Sequence, residues 1–68
     1  MPWLGGYDPV RAARGLGVRG NPQVWLIVAD RLYLFYDAED RAAFARDPDR
    51  YIAMAARKWP AISRTLSP

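Results

Sequence analysis

Val24-Trp25-Leu26-Ile27-Val28, then Ala29-Asp30-Arg31, then Leu32-Tyr33-Leu34-Phe35-Tyr36: the reading of this stretch decides the fold. Both apolar runs are rich in β-branched and aromatic residues, and the break between them is short, which together predict a β-hairpin. Asp30 is the residue in the break best able to tolerate a turn conformation. Neither run alternates between polar and apolar residues, as a strand with one wet face does. Both faces of the hairpin are therefore expected to be covered, one by helices and the other by something the chain does not obviously supply.

Working outward, Asp37 follows the second run and can cap a helix, with Asp40 three positions on. Asp37, Glu39 and Asp40 also sit at the positive end of that helix, which is expected to reach about Arg46 and to present Phe44. Asp47-Pro48 repeats the cap-plus-proline signal and opens another helix. In it Ile52, Ala55, Ala56 and Trp59 recur at spacings of three and four, an apolar stripe. Pro60 is expected to stop or kink that helix, leaving residues 61–68 as a tail carrying Ile62 and Leu66. Upstream, Asp8-Pro9 marks the start of a short helix through Val10 to about Arg14, ended by Gly15 and Gly17. Residues 1–7 read as an irregular arm in which Trp3 can tuck into the body, and Val18 sits where a third short strand could form. The expected architecture is one small α+β domain over residues 1–68. It has a short N-terminal helix, an antiparallel hairpin and two C-terminal helices packed on the sheet. Its core includes Trp25 or Leu26, a strand-two aromatic, Phe44, Ile52, Ala55 and Trp59.

A chain of 68 residues buries only about 60% of the surface that its unfolded form exposes. A composition 51% hydrophobic is high for so small a body. Either a bound partner or second copy absorbs the excess, or the alanines inflate the figure. Trp3, Tyr7, Trp25, Tyr33 and Tyr36 are the candidates for a partner or ligand surface.

The available chemistry is narrow. The chain has no histidine and no cysteine, so the commonest ligands for zinc, copper and haem and the usual neutral-pH base are missing. Ser63 and Ser67 have no histidine to activate them. Asp37, Glu39 and Asp40, or Asp47 with Asp49, could contact a hard cation, but no calcium-loop register surrounds them, so capping and solvation account for them. A facing carboxylate pair would need a cleft. Gly15, Gly17 and Gly20 spell Gly-x-Gly-x-x-Gly, but they follow a helix and precede a strand, the reverse of a dinucleotide site. Tyr7, Tyr33, Tyr36 and Tyr51 could line a small pocket, or be wall and rim residues of the core. Met54 reads as helix packing rather than as a metal ligand.

The formal charge of +3 comes mainly from arginine, interleaved with acids as in Arg46-Asp47-Pro48-Asp49-Arg50. No arginine stripe falls on one face, so nucleic acid is not the expected partner. No apolar run reaches the length of an ordinary transmembrane helix. The opening Met1-Pro2-Trp3-Leu4-Gly5-Gly6 lacks the pattern of a signal peptide. The expectation is a soluble domain, cytoplasmic if the chain is complete and periplasmic or secreted if a leader was removed.

Gly6-Tyr7-Asp8-Pro9-Val10 resembles the opening of small bacterial YHS-domain proteins. Gly20-Asn21-Pro22 through Trp25, Leu32-Tyr33-Leu34, Phe44, Asp47, Ile52-Ala53 and Trp59-Pro60 resemble their later part, so that the likeness spans roughly residues 5–62, as in a shortened member. It implies a compact α+β module, often exported in bacteria, mostly of unassigned function and sometimes linked to metals or haem. The chain departs from the pattern in three places. Asp30 stands where the turn usually has glycine, the histidine and serine of the domain's name have no counterpart, and the cysteines of metal-binding relatives are missing. The metal role therefore does not carry over, and no cofactor is expected. The functional expectation is a non-enzymatic accessory or protein-interaction domain, with self-association as one form of that role. The alternatives are a small-molecule or cofactor binder with an aromatic-lined pocket and, last, a carboxylate-based metal site or hydrolase.

Overall fold

A computed structural model describes residues 1–66. A 3₁₀ turn over Trp3–Gly6 leads into α1 (Pro9–Ala13), β1 (Asn21–Val28), β2 (Arg31–Phe35), α2 (Ala38–Arg46) and α3 (Pro48–Leu66). The α+β arrangement of short helix, antiparallel hairpin and two further helices is the one the sequence predicts.

The caps form as their residue types require. Asp8 Oδ1 accepts the backbone N–H of Val10 at 2.7 Å and of Arg11 at 3.1 Å, and Pro9 fills the first helical position. Gly15 takes φ +85° after the end of α1, the left-handed position that ends helices. Asp37 Oδ1 accepts the N–H of Asp40 at 2.9 Å and starts α2.

The hairpin closes through two residues, Ala29 and Asp30, with φ of 51° and 62°. Positive φ at both is the demand of a type I′ turn, whose twist suits the strands it joins. Neither residue is the asparagine or glycine that usually meets this demand. The strands pair Val28 with Arg31, Ile27 with Leu32, Leu26 with Tyr33 and Trp25 with Leu34, after which the register shifts and Asn21 opposes Phe35. Residues 22–24 bulge out of the ladder. Near Val18 there is a single bridge, between Tyr7 and Arg19, rather than a third strand.

This register separates the two faces that the sequence leaves mixed. Val24, Leu26, Val28, Tyr33 and Phe35 turn towards the helices and pack with Val10, Phe44, Tyr51 and Ile52. Phe44 lies 4.7 Å from Tyr33 and 5.1 Å from Phe35 between ring centroids, within the range where aromatic pairs attract. A second cluster joins α1 to α3 through Ala12, Ala13, Ala55 and Ile62, with Met54 and Trp59 at its margin.

Several expectations are corrected. Tyr33, assigned to a partner surface, is buried in the core. Phe44 and Ala55, assigned to the core, are fully buried there; Ile52 and Trp59, also assigned to it, are half-buried and pack against its two clusters, while Ala56 is exposed. Trp25 points away from the helices, and Leu26 takes the core-facing place. Pro60 does not end the helix: α3 runs on through Leu66, so residues 61–66 are helical rather than a tail, while 67 and 68 lie outside the described residues. Pro60 and Ala56 both lie exposed, where water can take the carbonyl that the proline leaves without a donor, and the next turn buries Ile62 against α1. The arm 1–7 is more ordered than expected. Trp3 does tuck in, edge-on to Tyr33 at 5.6 Å, and Gly6 and Tyr7 both pair with the segment leading into β1.

Candidate functional site

The outer face of the hairpin carries the site. Trp25 and Ile27 on β1 stand beside Leu34 and Leu32 on β2, as their register dictates. With Pro2 and Pro22 they line a groove of about 460 Å³. Trp25 is 49% exposed and Ile27 61%, and no lining residue carries a side-chain charge. Gly20 lets the segment leading into β1 approach this hairpin. A Cβ there would stand 2.6 Å from Leu34 Cβ, 2.7 Å from its carbonyl carbon and 2.9 Å from the Gly6 carbonyl oxygen. The approach is fixed by the Gly20 N–H donating to the Gly6 carbonyl at 2.8 Å.

The polar centre of the molecule is elsewhere, and it is buried. Asp8 has no exposed surface, and Asp40 is 4% exposed. Besides its two cap bonds, Asp8 uses Oδ2 to accept the N–H of Tyr36 at 2.8 Å, tying the end of β2 to the start of α1. Asp40 accepts Arg11 Nε at 2.8 Å, and a second Arg11 nitrogen stands 3.6 Å from Asp37 Oδ2. The Arg11 guanidinium also lies 4.9 Å from the Tyr36 ring centroid. Burial, and then the neighbouring Asp40 carboxyl, push the Asp8 pKa from 3.8 to about 6, against the pull of the backbone donors of Tyr36 and Arg11. Two acids are thus brought together, but both are enclosed and occupied in joining α1, β2 and α2. Among the described residues no three acidic side chains converge as a metal site.

The structure disperses the five sequence candidates among different contacts. Trp3 and Tyr33 meet in the core, Tyr7 leans on Trp59 at 5.5 Å, Tyr36 pairs with Arg11, and Trp25 alone lines the outer groove. Tyr51 packs against Phe44. Sequence reading missed Ile27, Leu32, Leu34, Pro2 and Pro22 as companions of Trp25. A two-residue turn placed at Ala29-Asp30 would have found the strand partners, since it fixes which residues share a face. It also missed Arg11, whose two carboxylate partners lie far along the chain. A second groove, of about 480 Å³, lies between the end of α1 and α3 and includes Arg57 and Lys58. Among the described residues no helix is long and apolar enough to cross a membrane. No family model, curated protein or solved structure matches this chain, so the likeness to YHS-domain proteins rests on the quoted residues alone.

Proposed function

We propose that the chain is a non-enzymatic protein-interaction domain that works through the outer face of its hairpin. One observation carries the reading: Trp25 and Ile27 stand about half or more exposed in an uncharged apolar strip continued by Leu32, Leu34 and two prolines. Burying such side chains yields roughly 1.5–3 kcal/mol each, and at Trp25 and Ile27 about half or more of the surface is still open to water. A tryptophan at the centre of an apolar patch is the residue type that anchors protein interfaces. The aromatic-pocket alternative loses ground, because its tyrosines and tryptophans are dispersed among other contacts. A carboxylate chemistry finds its two close acids sealed from solvent.

The test uses the dye anilinonaphthalene sulfonate and the emission of the tryptophans over a range of protein concentrations. An available face binds the dye, and an occupied face shows as self-association with a blue shift of Trp25 emission. Dye binding and concentration-dependent self-association are both lost when Trp25 and Ile27 are replaced by threonine. A strict monomer that binds no dye would sink the reading.

A further inference from the structure

The strand that carries Trp25 and Ile27 also has an open edge. β2 is contacted by the 3₁₀ turn, whereas the sheet contains only β1 and β2 among the described residues, which leaves the other side of β1 without a strand. A two-residue loop closes on a pair that exchanges both main-chain bonds, here Val28 with Arg31, and alternation makes Leu26 with Tyr33 the next. Trp25 and Ile27 therefore aim their N–H and C=O groups away from β2. Among the described residues, no backbone hydrogen bond outside the hairpin ladder engages residues 24–28. Helix α2 touches both strands and packs Phe44 against their core side. Exposed edges are normally blunted by charges, yet Asn21–Val28 contains none; Pro22 and the bulge interrupt only its beginning.

The geometry points to a second copy of this chain as the occupant of that edge, with β1 pairing antiparallel to β1 across a two-fold centred on Leu26. This rests on the proposed role of the hairpin as an interaction element and names its partner. Residues directly opposed across a pair share a face, which restricts the centre to Trp25, Leu26 or Ile27. Centring on Ile27 would set Trp25 against Ala29, a turn residue with φ 51°. Centring on Trp25 would need the N–H of Gln23, already donated to Asn21 Oδ1 at 2.9 Å. Centring on Leu26 opposes Trp25 to Ile27 on the outer face, and Val24 to Val28 and Leu26 to itself on the core side. Every opposed pair is then apolar. Trp25 and Ile27 exchange their outward main-chain bonds with the copy, and the two half-exposed side chains cover each other. Each copy carries a charge of +3, but none of the five residues that pair along the seam is charged. The hairpin tips point apart, which sets the two Asp30 residues roughly 26 Å from each other, well beyond the screening length of about 8 Å at physiological salt. The seam is only five residues long, so the association is weak and concentration-dependent.

The experiment is analytical ultracentrifugation of the full chain from about 10 μM to about 1 mM, paired with amide exchange read by NMR. The expected mass rises from 7.7 kDa towards twice that value. With it the Trp25 and Ile27 amides become protected, while those of Leu26 and Val28, already bonded within the hairpin, do not change. Ile27→Pro removes one outward donor and Ile27→Lys places a charge on the edge; either abolishes the dimer while far-UV circular dichroism is retained. A chain that stays monomeric at the highest concentration overturns the inference; if it still binds the dye, the interaction role of the face stands. A dimer whose Trp25 and Ile27 amides exchange as freely as in dilute solution overturns edge pairing alone.

Discussion

Acidifying this protein from about pH 7.5 to pH 5 is expected to stabilise it, the opposite of what ionised carboxylates in favourable contacts usually do. The cause is Asp8, fully buried beside Asp40 and raised from 3.8 to about 6. Unfolding returns it to its ordinary value. Between those two values the folded chain holds a proton that the unfolded chain has lost, so the contribution is complete below pH 3.8 and is lost as the pH rises through about 6. A shift of about two units corresponds to roughly 3 kcal/mol in all, of which about 1–2 kcal/mol falls between pH 7.5 and pH 5. A domain of this length has about 3–10 kcal/mol of total stability, so the change is measurable as a displaced urea midpoint at constant slope. The control is Asp8→Asn, whose amide oxygen can still accept from Val10 and Arg11 but which cannot take up the proton; its midpoint is expected to be flat over the same range. A wild-type midpoint that is flat or falls on acidification would refute the reasoning. So would an Asp8→Asn chain that gains as much as the wild type.

Gly20→Ala is expected to cost at least about 1–3 kcal/mol, read from urea melts, because the added methyl meets Leu34 and the Gly6 carbonyl at less than 3 Å. Replacing Ala29-Asp30 with Asn-Gly relieves positive φ at two residues and is expected to raise the thermal midpoint, by an amount equivalent to about 1 kcal/mol or more. Phe44→Ala empties the centre of the aromatic cluster and should cost about 3–5 kcal/mol. By contrast Trp25→Thr should change the stability of the dilute monomer by only about 0.5 kcal/mol. Equal losses for these last two in the same denaturant assay would contradict the assignment of the hairpin faces.

The order of elements was legible because each boundary had a local chemical sign: Asp8-Pro9, Gly15, Asp37 and Asp47-Pro48 act on neighbours within a turn. What the chain does at Pro60 was not legible, because it depends on a distant contact. The proline lacks one donor, but the helix that continues past it buries Ile62 against Ala12 and Ala13, and propensity yields to that packing. Tyr33 and Trp25 were hard to assign for a related reason. Both lie in unbroken apolar runs, and only the pairing of Val28 with Arg31 across a two-residue turn settles which side each takes. Arg11 carried no sign at all, since Asp37 and Asp40 reach it only once α2 has folded back.

The same register explains why the hairpin contains more apolar residues than the fold uses. Alternation along β1 sends Val24, Leu26 and Val28 to the core, and these, with Tyr33 and Phe35, supply its sheet side completely. Polar residues at 25, 27, 32 and 34 would leave that set intact and would give the alternating pattern of a strand with one wet face. Trp25 and Ile27 are instead apolar, uncharged and about half or more exposed, and among the described residues their outward main-chain groups bond to no other backbone group. Core packing demands neither property. A single kind of contact, another strand laid along β1, satisfies both, because it supplies the missing hydrogen bonds and in the same step sets an apolar side chain opposite each exposed one.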